Sequence, residues 1–299
     1  MAKVRPAGAK DREALRKLTA QAFGLSAAEG LEPKPPPGSR VWLAWPGEEG
    51  EPAGYCRMVP DRETRARGRA CLDGLFVARG RRRKGLARAL IGAAREAALQ
   101  DGLEGLWAYL PVDLPGEFLA GTGGRKIQGL RLLRHERLDE IPSPSLPAGH
   151  RIRPPALPGD MAPLAALYNE AFGGMWNFRP HGPGDIAAWF EATDTRPENC
   201  LLLEREGPPA EGVGMALLAI DPGRLAAGDR AAYIPDIGVL PAHRRRGMGR
   251  ALLCAAAAHA RARGLQALEL IADEADEEAR RFYRGAGFEE RGTICVYEW

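Results

Sequence analysis

The chain reads VLPAHRRRGMG at residues 239–249 and VARGRRRKGLA at residues 77–87. In both places an apolar run, Tyr233 to Leu240 or Leu72 to Val77, leads into a basic turn that contains glycine, and an alanine- and leucine-rich run follows. This order predicts a strand, a turn and a helix. Because glycine leaves the backbone amides at a helix start uncovered, each turn is suited to binding a diphosphate. We therefore predict two copies of one anion-binding unit.

The register of the two copies supports a repeat. The offset is 162 from Arg82 to Arg244 and again 162 from Gly102 to Gly264, so the helix after each turn is equally long. Earlier in each half, VRP at 4–6 and AFG at 22–24 match IRP at 152–154 and AFG at 171–173. Residues 142–149 are rich in proline and predict a linker, so we expect one domain at 1–141 and a second at 150–299.

The composition excludes several classes of protein. The 299 residues carry a formal charge of +3 and are 45% hydrophobic, which allows a core in each half but is not typical of a general polyanion binder. The arginines cluster at the two turns, which favours local phosphate recognition over a nucleic-acid surface. Five scattered cysteines without a C-x-x-C pair indicate a reduced interior and no metal site. The lack of a long apolar run predicts a cytoplasmic protein without a membrane segment.

The apolar periodicity predicts a mixed α/β (α+β) fold in both halves. In the second half we expect helices at 160–171, 183–192, 249–263 and 275–285, and strands at 201–204, 212–220, 233–239, 267–271 and 288–297. In the first half we expect helices at 11–22 and 86–99, and strands near 41–45, 53–59, 70–77 and 105–110.

This order of elements resembles the GCN5-related N-acetyltransferase (GNAT) superfamily. Its signature, (Gln/Arg)-x-x-Gly-x-(Gly/Ala) after a central strand, is matched by RRRGMG at 244–249 and RRKGLA at 82–87. A late family element is matched by FYRGAGF at 282–288. The resemblance implies two tandem GNAT-like domains, each a mixed, mostly antiparallel central sheet flanked by helices. It also implies acetyl-CoA as the acyl donor.

The resemblance further implies which residues bind the donor. The pyrophosphate is expected at the turn, and the pantetheine arm along an exposed, bulged strand edge. The predicted donor-binding residues of the second half are Ile237, Val239, Arg244, Arg245, Arg246, Gly247, Met248, Gly249 and Arg250. The corresponding candidates of the first half are Val77, Arg82, Lys84, Gly85, Leu86 and Ala87, and whether that half binds the donor stays open.

Tyr283 is the candidate general acid. It matches the tyrosine with which the family protonates the leaving thiolate; the alternative is an aromatic side chain that only packs. In the first half Leu119 stands in its place, and leucine cannot donate a proton. We therefore expect a degenerate first domain and a catalytic second domain.

Asp236 is the candidate general base, because burial in an otherwise apolar strand would raise the pKa of its carboxyl group. The alternative is a carboxylate that caps a bulge or pairs with an arginine. Many members of the family use a glutamate where this chain has Tyr233, which leaves the base open. In the first half Asp73 lies one residue away from the position that corresponds to Asp236, and we expect it to have a structural role.

Trp176, Phe178 and His181 are the candidate acceptor-binding residues, since this region commonly covers the acceptor in the family. The alternative is an aromatic plug between the domains. His181 has no second ligand at helical spacing, so we expect no metal. The acidic run at 273–278 is either a solvated helix start or an attraction for a cationic acceptor.

The sequence thus predicts an N-acetyltransferase whose second domain moves an acetyl group from acetyl-CoA to a primary amine, most simply of a small molecule. We expect a monomer or homodimer without nucleic-acid or membrane partners. A non-enzymatic acyl-CoA sensor or scaffold is the alternative. A protein that binds another diphosphate is disfavoured, because neither turn has a P-loop ending or a Rossmann glycine pattern.

Overall fold

A computed structural model describes residues 2–23, 38–60, 64, 67–111, 113–175, 178–191 and 194–299. The chain folds into two compact units. The first unit comprises Met1–Leu130 together with Thr293–Trp299, and the second comprises Arg131–Gly292. This division differs from the boundaries that the sequence predicts, at 141 and 150, and it places the C-terminal segment in the first unit.

The predicted helices and strands occur in the predicted order, and the described residues add strands at 3–6, 125–135 and 150–153 and helices at 116–122 and 222–226, which the sequence does not predict. The elements up to residue 135 are β1 (Lys3–Pro6), α1 (Arg12–Phe23), β2 (Arg40–Trp45), β3 (Gly54–Val59), β4 (Arg69–Val77), α2 (Leu86–Gln100), β5 (Gly105–Leu110), α3 (Gly116–Thr122) and β6 (Arg125–His135). The later elements are β7 (His150–Arg153), α4 (Met161–Phe172), α5 (Pro183–Glu191), β8 (Thr195–Arg205), β9 (Glu211–Ala219), α6 (Pro222–Ala226), β10 (Ala231–Val239), α7 (Met248–Ala262), β11 (Ala267–Asp273), α8 (Glu277–Gly285) and β12 (Glu289–Glu298).

Each unit contains a mixed sheet. In the first unit β1 to β4 pair in antiparallel order, β4 pairs with β5 in parallel, and β12 pairs with β5 antiparallel. In the second unit β7 to β10 pair in antiparallel order, and β10 pairs with β11 in parallel. The predicted fold class, a mostly antiparallel sheet with helices in each half, is confirmed.

The helices that follow the two basic turns, α2 and α7, are the closest structural match between the units. Each has 15 residues and buries leucine and alanine side chains against its sheet. Small residues let these helices approach the strands. A Cβ atom at Gly54 would lie 3.4 Å from Leu90 of α2 and 2.8 Å from Phe76 O of the next strand, and one at Gly214 would lie 3.1 Å from Leu252 of α7 and 2.9 Å from Gly238 O. Glycine is therefore required at both positions for close packing.

The strands before the two turns leave their parallel partners in the same way. β10 pairs with β11 from Ala231 to Ile234, and β4 pairs with β5 from Arg69 to Cys71; among the described residues neither parallel pairing extends further along the strand. An irregularity in the antiparallel pairing, one extra residue in β10 and one in β4, lies close to each point of separation. A bulge bends a strand and ends its pairing, so the last residues of β4 and β10 keep a neighbour on one side.

The C-terminal strand completes the first unit. The Leu106 amide donates to the carbonyl oxygen of Trp299 at 2.9 Å, and the Trp299 amide donates to Leu106 O at 3.1 Å. Tyr297 is fully buried, and its hydroxyl group donates to Asp113 at 3.0 Å. The indole of Trp299 donates to the Thr122 hydroxyl at 3.0 Å. The predicted strand at 288–297 therefore exists, but its last residues pack in the first unit.

Candidate active site

Two closely spaced departures from ordinary backbone geometry shape the turn before α7. Arg245 has φ +63° and Gly247 has φ +82°, and in the first unit Arg83 and Gly85 have φ +61° and +74°. Among the described residues, Arg83 and Arg245 are the two non-glycine residues with positive φ. A left-handed backbone costs about 1–2 kcal/mol for a residue with a Cβ. Such strain is maintained where the surrounding structure uses it, and successive amides in this geometry form a concavity for an anion.

Four consecutive amides at the start of α7 have no partner in the described part of the chain: those of Gly247, Met248, Gly249 and Arg250. The first helical hydrogen bond follows directly after them, from the Ala251 amide to Gly247 O at 3.0 Å. The first unit repeats the pattern, with its first bond from Ala89 to Gly85 O at 3.0 Å. Unpaired amides at the positive end of a helix bind phosphate groups.

The space in front of these amides is open. A Cβ atom at Gly247, Gly249 or Gly85 would meet nothing within 4 Å. Met248 is buried and anchors the turn to the core, whereas Gly247 is exposed. The donor set and the uncovered concavity fit a diphosphate, because the amides supply partial positive charge and the flanking arginines supply full charge.

The free edge of β10 supplies a second set of donors. The Leu240 amide, just after β10, donates to the carbonyl oxygen of Val213 in β9 at 2.9 Å. Since backbone groups alternate along a strand, the amides of Ile237 and Val239 point to the opposite edge, where β10 has left β11. Both residues also pack their side chains against the core beneath α7. The predicted pantetheine residues therefore lie on an edge that can pair with an extended ligand.

The arginines of the second-unit turn do different things. Arg244 is exposed, and its guanidinium group donates to Val239 O at 2.9 Å and to Ala171 O at 3.1 Å. Arg245 pairs with Glu278 on the first turn of α8, and both side chains are largely exposed, at 81% and 66%. Arg246 and Arg250 are exposed. The Arg244 side chain thus braces the turn, and its predicted contact with phosphate stays a prediction.

Tyr283 lies in the core of the second unit, in one cluster with Met248 of the turn and Val239 of the strand edge. The residue is 9% exposed, and its ring contacts those of Phe282 and Phe288 at 5.1 and 5.8 Å between centroids. Burial, with a smaller contribution from the charge of Asp276, raises the pKa of the Tyr283 hydroxyl to about 12. The group therefore keeps its proton at neutral pH, as a general acid must.

Leu119 has the corresponding surroundings in the first unit. It packs, with Val77 and Phe118, against the cluster that contains Leu86. These residues correspond to the turn, strand edge and tyrosine of the second unit. The first unit therefore retains the amide arrangement, while the side chain at the position of the acid is apolar.

Asp236 is half-buried on β10, beside the bulge. Burial, with a smaller contribution from the negative charge of Asp236, raises the pKa of the Cys200 thiol to about 12. The carboxylate thus lies close to the face of β10 that carries α4 and α5, opposite the face on which Tyr283 packs. Asp73 of the first unit pairs with Arg57, in agreement with a structural role.

Phe178 and His181 belong to an aromatic cluster that the sequence only partly predicts. Tyr168 of α4 lies at its centre, with centroids 6.4 Å from Phe178, 4.6 Å from His181 and 4.9 Å from Trp189 of α5. Trp176 lies outside the described residues. Sequence reasoning missed Tyr168 and Trp189, although the spacing of Tyr168 and Phe172, four residues apart on a helix, indicates a shared face.

Ion pairs and helix capping partly neutralise the acidic run before Tyr283. Glu274 pairs with Arg131 and Glu278 with Arg245. Asp276 caps α8 by accepting the Ala279 amide at 2.9 Å, and Asp273 accepts the Ala275 amide at 2.7 Å. These contacts are typical of an acidic helix start, which is the first of the two alternatives that the sequence leaves open.

Within the described ranges, none of the helices has the length and apolar character needed to cross a membrane. In the same part of the chain, no group of three or more His, Cys, Asp or Glu side chains is placed to hold a metal ion.

A mixed sheet with a separated strand edge, a run of open backbone amides at the next helix and a buried tyrosine agree with the class that the sequence predicts, acyltransferases that use coenzyme A. The model of the Acetyltransferase (GNAT) family matches residues 13–115 and 161–288. The chain belongs to this family, and the predicted acetyltransferase is confirmed. Acetyltransferases of the family take acetyl-CoA as donor.

Curated relatives match most of the chain. The mycothiol acetyltransferase of Thermobispora bispora is 30% identical over 268 residues, which cover 87% of this chain and 83% of the relative. The mycothiol acetyltransferase of Thermomonospora curvata is 27% identical over 257 residues, covering 84% and 80%. These matches extend over both halves of the chain, and the relatives' names agree with a resemblance to mycothiol synthase.

Solved structures support the fold. A GCN5-related N-acetyltransferase from Sphaerobacter thermophilus matches all of this chain and 95% of its own, with a TM-score of 0.72 and 23% identity. A tandem GNAT protein from the clavulanic acid biosynthesis pathway matches all of this chain and 98% of its own, with a TM-score of 0.65 and 19% identity. The tandem GNAT fold is therefore confirmed.

Proposed function

We propose that the C-terminal unit transfers an acetyl group from acetyl-CoA to a primary amine of a small molecule. The run of four unpaired amides, from Gly247 to Arg250, carries this proposal. Acetyl-CoA supplies the activated acetyl group as a thioester. One core cluster contains Val239 of the free edge, Met248 of the turn and Tyr283, and Ile237 packs against it. The proposed donor-binding groups and the proposed proton donor therefore pack on the same core.

The chain's residues have separate roles in the reaction. The amide of Ile237 or Val239 donates to the thioester carbonyl and stabilises negative charge on its oxygen while the amine attacks. A carbon–nitrogen bond forms and the carbon–sulfur bond breaks. The departing sulfur takes the proton of Tyr283, and Asp236, directly or through water, takes the proton that the amine loses. The proton balance is then restored by exchange with solvent.

The first unit is proposed to bind coenzyme without transferring the acetyl group. Its cradle, from Gly85 to Arg88, repeats the unpaired amides, and Lys84 adds charge beside it. Leu119 supplies no proton. This observation supports the second candidate function, an acyl-CoA sensor or scaffold, for the first unit.

The acceptor is proposed as a small-molecule amine. The curated relatives are named mycothiol acetyltransferases, so their acceptor is one member of the set to be tested. The aromatic cluster around Tyr168 is the candidate acceptor surface, because Phe178 and His181 reach it from the segment after α4.

The test combines calorimetric titration with acetyl-CoA and release of free coenzyme A thiol in the presence of a panel of small primary amines. Gly247→Glu places a carboxylate in the cradle and should weaken binding to the second unit by about 100-fold or more, equivalent to about 2.7 kcal/mol. Gly247→Ala is the matched control, because it carries the same strain at φ +82° without the charge.

The equivalent substitution in the other unit, Gly85→Glu, separates the two sites. Transfer should survive Gly85→Glu and be lost in Gly247→Glu. Transfer that survives Gly247→Glu, or that only Gly85→Glu removes, would assign catalysis to the first unit. Binding of acetyl-CoA with no transfer to any amine would favour the sensor.

A further inference from the structure

Arg244 joins three parts of the second unit. It is the first residue of the phosphate turn, and its side chain bonds Val239 O at the end of β10 and Ala171 O at the end of α4. Ala171 is buried, and the last carbonyl groups of a helix have no partner within the helix. A guanidinium group there satisfies the carbonyl and interacts favourably with the negative end of the helix dipole.

The next residue fixes the end of α4 to the same strand. Phe172 lies directly on Gly238, since a Cβ atom at Gly238 would be 2.6 Å from the tip of the ring. Gly238 stands between Ile237 and Val239, whose amides face the free edge. The end of α4 is thus held near β10 in two ways, by the Arg244 side chain, which bonds both Ala171 O and Val239 O, and by the Phe172 ring, which packs on Gly238.

The candidate acceptor segment is attached to this same turn of α4. The Phe172 ring lies 4.7 Å from that of Tyr168, the centre of the aromatic cluster. Asn169 accepts the His181 amide at 2.7 Å and donates to His181 O at 2.9 Å. A movement of the last turn of α4 would therefore carry the position of His181 with it.

Among its described residues, the first unit shows no corresponding connection. Arg82 donates to Val77 O at 3.2 Å, which repeats the bond to the strand end. Within the described ranges it makes no bond to α1. In place of Gly238 the first unit has Phe76, which carries its own ring and packs near Tyr55 at 6.1 Å. The bond from turn to helix is a feature of the unit that carries Tyr283.

We propose that Arg244 is a positioning residue that couples donor binding at the turn to the end of α4 and to the acceptor segment at 178–181. A diphosphate bound to the four amides fixes the backbone that carries Arg244, and so restricts its guanidinium group to the position that holds Ala171. Such coupling is reciprocal, so an ordered acceptor segment also favours the donor. This inference rests on the proposed function of the second unit.

Hydrogen exchange with and without saturating acetyl-CoA tests the coupling. In the wild-type protein, acetyl-CoA should slow exchange of the amides at 169–175 and 178–182 by about tenfold, through rarer local opening. In Arg244→Gln, acetyl-CoA should still bind within about threefold of the wild-type affinity, because the backbone forms the cradle. The slowing at these segments should be lost. Protection of α7 checks that the variant is folded.

Two further variants sharpen the result. Arg244→Lys keeps a donor that reaches one carbonyl, so it should restore part of the slowing. Arg82→Gln, the same change in the other unit, should leave the slowing at α4 at the wild-type level.

Three results would overturn the coupling. They are slowing that persists in Arg244→Gln, a loss of acetyl-CoA affinity in that variant of tenfold or more, and wild-type binding without slower exchange. The second would make Arg244 a phosphate ligand. Failure of the wild-type protein to bind acetyl-CoA would overturn the proposed function as well, which distinguishes the two.

Discussion

Arg83 and Gly85 of the first unit have the same left-handed backbone as Arg245 and Gly247 of the second, and four unpaired amides accompany each pair. Strand separation before the turn is also shared. The proposed anion cradle is therefore formed by main-chain atoms. It needs one glycine with positive φ and one strained arginine, and it is compatible with many changes of side chain around it.

The differences between the units lie in single side chains. Tyr283 has Leu119 as its counterpart and Gly238 has Phe76, and in the part of the chain that the structure describes the bond from Arg244 to α4 has no equivalent from Arg82. In the proposed function the first unit thus keeps donor binding and lacks the chemistry, because chemistry depends on individual functional groups. Substitutions in both units can break or sharpen this contrast.

The largest effect is expected where the last residues of the chain complete the first unit. Trp299→Ala should lower the free energy of unfolding of the first unit by about 3–5 kcal/mol, the usual cost of removing a buried tryptophan. The substitution also removes the hydrogen bond that the Trp299 indole donates to the Thr122 hydroxyl. Segment-resolved hydrogen exchange in urea should show α2 and β5 losing protection while α7 keeps it. Earlier loss of protection in α7 would contradict the assignment of this segment.

Tyr283→Phe should reduce turnover by about 100-fold, at the lower end of the range for general acid catalysis. The affinity for acetyl-CoA, measured by calorimetry, should change little, because the hydroxyl group has no hydrogen-bond partner among the described residues. Tyr297→Phe removes another buried hydroxyl, in the first unit, and should leave turnover unchanged. Equal losses in the two variants would remove Tyr283 from the chemistry.

The raised pKa of Tyr283 predicts a pH dependence of stability. An ordinary tyrosine ionises near pH 10, whereas folded Tyr283 keeps its proton up to about pH 12. Between these values the unfolded chain binds fewer protons than the folded chain, so the free energy of unfolding falls as pH rises. Urea unfolding between pH 9 and about 11.5 should show a shallower fall in Tyr283→Phe than in the wild type. If the free energy of unfolding fell equally steeply with pH in both proteins, the Tyr283 hydroxyl would have an ordinary pKa and would be exposed to water.

The smallest effect is expected at the candidate base. Asp236→Asn should lower turnover at pH 7 by about tenfold, and the deficit should shrink at higher pH, where more of the amine is already neutral. Asp73→Asn, the nearest carboxylate in the first unit, should have no such effect. A deficit in Asp236→Asn that is constant with pH would assign this residue to structure.

Local sequence predicted the turns, helices α2 and α7, and the strands before them, because glycine position and apolar periodicity act over a few residues. The sheet to which a strand belongs is a different matter. TICVYEW at 293–299 predicts a strand through its alternation, but the same alternation fits either unit. The fit of Trp299 against Gly105 and Gly124, which leave room for it, decides the question.

The site was predictable to a similar extent. The backbone donors at 247–250 followed from the glycine motif. The bond from Arg244 to Ala171 joins residues 73 apart in the chain, and no spacing rule connects them. The centre of the aromatic cluster, Tyr168, was missed for the same reason, since its neighbours come from two helices and the segment between them. The catalytic roles of Tyr283 and Asp236 stay predictions.

The position of Thr293–Trp299 in the first unit has a consequence for synthesis. Because the chain is synthesised from its N-terminus, the edge of β5 that pairs with β12 stays free until residues 293–299 have been made. An exposed edge strand is a template for pairing with other chains. The unit that is synthesised first is thus closed only after the second unit has been made, and a stop codon just before residue 293 would damage that first unit.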